Sequence, residues 1–443
     1  MESSIHIGPT ALIRGTPRLP SSKYYTLRYV LAAALADGVS TVSLPAESDD
    51  SEALYRGCRA LGAELRWEDE ARRVLRVRGA GRPQRAEPTT INVGNAGAVL
   101  RLLLGLGALL QHVTFVTDYP QSLGQRPNRE LLDTLAQLGA ACESSELDGC
   151  LPITIRGGTI HGGQVTISGA RSSQFLSSLL FLGPLIGEPL EISVVDDLKS
   201  QMFVRMTLNV LQEAGIRVEH DAALHHLFIA AGQHYQPRDY VIPGDYPSAA
   251  ALLAACAVAS DPASELRLER LRPGEADGTA LTQALLAMSA DITREGETLI
   301  ARGGRRLRAI QMNGDSAIDC IPALVAAACF AEGESAFYNI ETLHYKESDR
   351  IDDFCAELRK AGCTVTPQRD AIIVQGQPGG IEGGASVDGH ADHRLLMALA
   401  IVALRSRKGL TLTGTKHAAK SYPQFFDDLR SLGAAVRFSP YQT

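Results

Sequence analysis

"LAQLGAACE", residues 135–143, ends a helical pattern and begins a strand pattern around Gly139. A glycine just past the last apolar helical position is the expected left-handed cap, because it adopts positive φ without a Cβ clash. The phrase returns as "CRALGAELR" (58–66), "LQEAGIRVE" (211–219), "LLAMSADIT" (285–293), "LRKAGCTVT" (358–366) and "LRSLGAAVR" (429–437). The hinge residues are Gly62, Gly139, Gly215, Ser289, Gly362 and Gly433, so successive copies lie 71 to 77 residues apart.

A second phrase keeps the same period. A polar turn opens a run of Ala and Leu in "SSKYYTLRYVLAAALADG" (21–38), "GNAGAVLRLLLGLGALL" (94–110) and "RSSQFLSSLLFLGPL" (171–185). It does so again in "YPSAAALLAACAVA" (246–259), "DCIPALVAAACFAEG" (319–333) and "DHRLLMALAIVAL" (392–404). Two phrases in register through six copies define an internal six-fold repeat of whole αβ units. At ordinary element lengths each unit holds about two helices and about four strands. The first helix is apolar all round and is expected to be buried; the second, as in "RELLDTLAQLG" (129–139), is amphipathic and lies between core and solvent. The fold class read from this is α/β, with two domains of three repeats, helices inside and sheets outside.

Composition narrows the function. The chain has 443 residues, a net charge of −7, 45% hydrophobic residues and one Trp. An acidic balance with so little aromatic surface argues against a nucleic-acid partner, while a local basic pocket for small anions is compatible with it. No apolar run approaches the roughly 20 residues of a membrane span. "MESSIHIGPT" lacks the features of a signal or transit peptide, so a cytoplasmic location is expected. The eight cysteines are scattered without CxxC spacing and read as buried thiols, with no metal and no cofactor expected.

Polar residues gather where the buried helices begin: Lys23 and Arg28; Asn95 and Gly97; Ser172, Ser173 and Gln174; Asp319; Asp392, His393 and Arg394. Helix N-termini present free N–H groups and partial positive charge, an anion site before any side chain is counted. Plain N-capping explains Asn95 or Ser172 singly; the grouping with cations favours a ligand. "YKESDRIDDF" adds Lys346, Glu347 and Arg350, "SLGQRPNREL" adds Arg126 in the extended position before proline, and "KHAAKSYPQFF" adds Lys420. "GLGALL" lies inside a helix and is no dinucleotide fingerprint, and "GQPGGIEGG" (376–384) has no Lys-Ser/Thr and reads as hairpin turns.

"GNAGAVLR", "SSQFLSSLL", "KESDRI" and "DHRLLMALAI", in this order, resemble the signatures of the EPSP synthase (3-phosphoshikimate 1-carboxyvinyltransferase) family and its enolpyruvyl transferase relatives. The resemblance runs from Lys23 to Lys420. It implies a two-domain inside-out α/β barrel of six βαβαββ repeats, with residues 23–242 as one domain, 1–22 plus 243–443 as the other, and the active site in the cleft between them. The implied reaction moves the enolpyruvyl group of phosphoenolpyruvate to a hydroxyl and releases phosphate. The resemblance assigns Arg350 and Arg394 to the phosphoenolpyruvate carboxylate. It gives the phosphate to Lys23, Arg126, Gln174, Lys420 and the Gly97 backbone. Glu347 and Asp319 match the proton-transfer pair, with Lys23 assisting. Cations on both domains imply closure on binding anions. Small-molecule partners only, and a monomer, are expected.

On the acceptor side, Ser172, Ser173, Gln174, Ser200 and Lys346 match the family's phosphate site, Asp319 its hydroxyl partner, and Arg28 the residue that meets the shikimate carboxylate. The rest departs from the pattern. Tyr24 stands where serine is usual, Leu27 for Asn or Gln, Phe203 for tyrosine, Thr342 for asparagine and Ala98 for threonine. Sites that hydrogen-bond hydroxyls discriminate strongly. The expectation is therefore a phosphorylated acceptor other than 3-phosphoshikimate, for example a nucleoside monophosphate such as UMP with Tyr24 stacked on its base. The alternative is the shikimate acceptor itself, with Tyr24 as packing. A cell-wall type of transferase is disfavoured because "DYPQSLGQRP" (118–127) carries no cysteine. An RNA 3′-phosphate cyclase is disfavoured by the net charge, and a non-enzymatic binder by the completeness of the site.

Overall fold

In all six copies the hinge residue takes positive φ: Gly62 107°, Gly139 101°, Gly215 85°, Ser289 65°, Gly362 102° and Gly433 109°. Ser289 accepts the left-handed conformation despite its Cβ, which shows how strongly the helix-to-strand turn dictates it. The computed structural model describes residues 4–84, 87–145 and 148–438.

The chain divides into two compact units, one of Ser21–Ile242 and one of Met1–Pro20 with Pro243–Thr443. The helices of the contiguous unit are α1 (Lys23–Leu35), α2 (Asp49–Ala60), α3 (Gly97–Gly107), α4 (Arg129–Gln137), α5 (Ser173–Ile186) and α6 (Gln201–Glu213). Those of the discontinuous unit are α7 (Tyr246–Val258), α8 (Ala276–Ala287), α9 (Ile321–Ala328), α10 (Asp352–Ala361), α11 (His393–Leu404) and α12 (Phe425–Ser431). The odd-numbered helices are buried almost throughout and form the interior of each unit. Small residues let them approach closely. Gly105 on α3 donates its N–H to Ser178 Oγ on α5 at 3.0 Å, and a Cβ there would come within 2.6 Å of that oxygen.

Six four-stranded sheets surround these helices, three per unit, each with one parallel pair followed by two antiparallel pairs. In the first, Val39–Ser43 runs parallel to Asp239–Val241 and antiparallel to Val74–Arg78, which pairs with Glu64–Trp67. The last strand of this unit thus completes its first sheet. The discontinuous unit is closed by its N-terminal segment: Ile5–Ile7 lies between the strands Leu410–Thr413 and Val436–Phe438, and Arg14–Gly15 pairs with Glu265–Leu266. The run 376–384 is not a pair of hairpin turns. It carries the chain from Ala371–Gln375 in one sheet to Ser386–Asp388 in the next. Its glycines serve tight passages, such as Gly383 at φ 69° against Ser406.

Candidate active site

In the contiguous unit the polar residues open α1, α3, α5 and α6. Ser22 caps α1 by accepting from the Tyr25 N–H, and Ser172 caps α5 by accepting from the Gln174 N–H. Asn95 does not cap. Residue Ala96 precedes α3 with no side-chain cap, so that helix start stays open. Gly97 lies there against Arg126, and a Cβ would meet Nη1 at 2.9 Å. Glycine at this position is what lets a guanidinium sit over a helix N-terminus.

Lys23 is buried and pairs with Asp50 in the first turn of α2, Nζ to Oδ2 at 2.9 Å. Arg28 is 1% exposed. It donates to Thr207 Oγ1 at 2.8 Å and to the carbonyls of Tyr24 and Phe203 at 3.1 and 3.2 Å. Among the described residues it faces no carboxylate, and burial pulls its pKa down to about 10. It is a desolvated cation to which an incoming anion offers a strong gain. The Tyr24 ring packs on Phe203 with centroids 4.6 Å apart.

Arg101, which ends the phrase "GNAGAVLR", joins this set although its sequence context had singled out only its neighbours. It donates to Ser172 Oγ at 3.1 Å and Gln174 Oε1 at 3.3 Å, and lies over the Phe175 ring. Burial, then Arg126, lowers its pKa to about 10. A lone arginine in a leucine-rich helix was the available signal. Ser173 is buried beside Ser172, and Ser200 precedes α6 in the left-handed conformation, φ 51°.

In the discontinuous unit, Arg350 is the hub. It is 2% exposed and donates to Asp392 Oδ2 at 2.7 Å, Asp319 Oδ1 at 2.9 Å and Glu347 Oε2 at 2.6 Å. Burial opposes its charge, but the three carboxylates outweigh that and raise its pKa. Glu347 also meets Lys420, Oε1 to Nζ at 3.1 Å, and Asp319 meets Lys346 at 3.7 Å. Charges therefore alternate along Lys346, Asp319, Arg350, Glu347 and Lys420. Asp392 caps α11 through the Arg394 N–H, and the Arg394 side chain approaches Asp245 at 3.7 Å. Thr342 Oγ1 is buried with no hydrogen-bond partner among the described residues.

Two further acids were not legible in the sequence. Glu275 and Asp277 flank the start of α8, and burial followed by neighbouring carboxylates pushes them up to about 9 and about 7. Glu275 is thus held in its neutral form at pH 7.

The contiguous unit thus gathers cations about an open helix start, and the discontinuous unit sets paired acids among cations. The sequence signature of EPSP synthase (3-phosphoshikimate 1-carboxyvinyltransferase) matches residues 7–429. A 3-phosphoshikimate 1-carboxyvinyltransferase of Deinococcus radiodurans is 45% identical over 436 residues, covering 98% of this chain and 96% of that one. One of Burkholderia pseudomallei is 37% identical over 435 residues, covering 98% and 95%. The solved EPSP synthase of Acinetobacter baumannii superposes with a TM-score of 0.82 at 25% identity over 99% of this chain and all of that one. The enolpyruvyl transferase NikO of Streptomyces tendae, at 19% identity and a TM-score of 0.77 over 99% of each chain, shares the fold. The chain belongs to the EPSP synthase family. It is a carboxyvinyl (enolpyruvyl) transferase by class, and its two units are the six-repeat, inside-out α/β architecture of that family.

Proposed function

We propose that the enzyme transfers the enolpyruvyl group of phosphoenolpyruvate to a hydroxyl of 3-phosphoshikimate, with residues of both units acting on one substrate pair. Arg28 carries this reading. A buried guanidinium without a carboxylate partner among the described residues suits an acceptor that has a carboxylate besides its phosphate. A nucleoside monophosphate has no such group. The whole-length likeness to proteins named for 3-phosphoshikimate supports the same acceptor. The UMP expectation is withdrawn on these grounds. Its main support, Tyr24, packs on Phe203, as the alternative reading of that residue requires.

In this assignment Ser172, Ser173, Ser200 and Lys346 take the acceptor phosphate, with Arg101 holding Ser172 and Gln174 in place. Lys23, Arg126, Gln174, Lys420 and the Gly97 N–H take the phosphate of phosphoenolpyruvate, and Arg394 with Arg350 takes its carboxylate. Glu347 and Asp319 move protons: one acid protonates the methylene carbon, the acceptor oxygen adds to the adjacent carbon as its own proton is removed, and return of the methyl proton expels phosphate. Cations fixed beforehand around the developing charge need no reorganisation.

Phosphate release from phosphoenolpyruvate decides the acceptor. Turnover with micromolar 3-phosphoshikimate and none with UMP is the expected result; turnover with UMP alone would refute the assignment. Gly97→Ala is a second probe. Its methyl displaces Arg126, so kcat/KM for phosphoenolpyruvate is expected to fall by up to about a hundredfold. The unfolding midpoint stays near wild type, because only a side-chain end must move. Unchanged kinetics would remove Arg126 from the phosphate site.

A further inference from the structure

We propose that His344 is a positioning residue for the Lys346–Glu347 segment, a doubly donating imidazolium that clasps Asp349 across the bend carrying both side chains. The inference rests on the roles assigned above to Lys346 and Glu347. His344 Nδ1 lies 2.8 and 2.7 Å from the two oxygens of Asp349, and Nε2 lies 3.0 Å from the Arg369 carbonyl. Both nitrogens face acceptors, and a neutral imidazole has only one N–H to give. The native geometry therefore calls for the charged ring. The trio His344, Asp349 and Asp352 also brings metal-ligand types together, but a ring donating from both nitrogens has no lone pair for an ion.

The clasp fixes the bend from both sides. Asp349 Oδ1 accepts from the N–H groups of Ile351 and Asp352 at 3.0 and 2.9 Å, which ties it to the start of α10. The turn before the bend, Glu341–Tyr345, is held to residues 369–370: the Glu341 N–H donates to Asp370 Oδ1 at 2.7 Å, and Arg369 pairs with the Glu341 carboxylate at 3.0 Å. Between these anchors run Tyr345, Lys346, Glu347 and Ser348. Glu347 must present one oxygen to Arg350 and the other to Lys420, a geometry that a slack loop loses.

The charged groups facing the ring are Asp349 and Asp352, with the Tyr345 ring at its edge and the Arg369 guanidinium turned to Glu341. Burial pulls His344 down, but Asp349 outweighs it and raises its pKa above the ordinary 6.5. A raised folded value means the clasp is intact below about pH 6.5 and lost as pH climbs through that raised value.

The test is kcat and KM from pH 6 to 9 for wild type, His344→Gln and His344→Arg, with nitrogen-15 histidine NMR of the wild type. Wild-type kcat should fall on an alkaline limb. His344→Gln should lower kcat by roughly tenfold to a hundredfold and abolish that limb. His344→Arg, a double donor at every accessible pH, should restore most of kcat and keep it flat. NMR should show both ring nitrogens protonated at pH 6.5. A neutral ring at that pH, or a His344→Gln enzyme with wild-type kcat and pH profile, overturns the inference. Should His344→Gln not fold, Asp349→Asn is judged by the same limb. Glu347→Gln separates the two claims: if it keeps turnover, the role given to Glu347 fails; if it is dead while His344→Gln is normal, only the clasp fails.

Discussion

Replacing Arg350 with alanine is expected to abolish turnover and to cost about 3–5 kcal/mol of stability at neutral pH, the usual scale for removing one partner of a buried ionic cluster. The reason is electrostatic. Asp392 and Asp319 are 0% and 6% exposed, and with Glu347 they share a single guanidinium. Without it, Asp392 loses its guanidinium partner and the three carboxylates are left close together in a poorly solvated site. Urea unfolding at pH 7 reads the cost directly. Arg350→Lys should recover only part, since one ammonium does not reproduce a fork that serves three acids. A wild-type midpoint for Arg350→Ala at pH 7 would refute the hub.

Glu347→Gln should leave the protein folded and able to bind the acceptor, yet reduce kcat by about a hundred- to ten-thousandfold, the range for loss of a positioned proton carrier. Glutamine keeps the shape and one oxygen for Lys420 or Arg350, so the loss is chemical rather than steric. Single-turnover kinetics with phosphoenolpyruvate and 3-phosphoshikimate separates binding from chemistry. A kcat within tenfold of wild type would pass the proton to another acid. Asp319, bonded to the same guanidinium, is the next candidate.

The repeat was legible in the sequence because its hinge demands a rare backbone conformation and its first helix is rich in apolar residues. Both constraints are local and write themselves into residue types. Sheet closure is not local. Nothing near Ile5–Ile7 says that its partners lie at 410–412 and 436–438, and the glycines of 376–384 look alike in a hairpin and in a crossing between sheets. The same division holds for the site. Lys23, Gly97 and Glu347 stood out by position and by family resemblance. Asp50 did not, because an acid in the first turn of an amphipathic helix is ordinary; only the fold brings it to Lys23. The saturation of Arg350 by three acids was equally invisible, since Asp319, Glu347 and Asp392 are far apart along the chain.

The way the two units are closed bears on how the chain is made. Every described strand of residues 21–242 finds its partner inside that span, so those sheets can pair without later sequence. The other half cannot. Residues 5–15 emerge early, but the strands that flank Ile5–Ile7 end at Phe438. At about 5–20 residues per second the interval between the completed first half and those partners is about 10–40 s. Through it the strand Ile5–Ile7 waits with its ladder hydrogen bonds unmet. Closure of the discontinuous half thus depends on pairing across nearly the whole chain length, a long-range contact of the kind that slows folding.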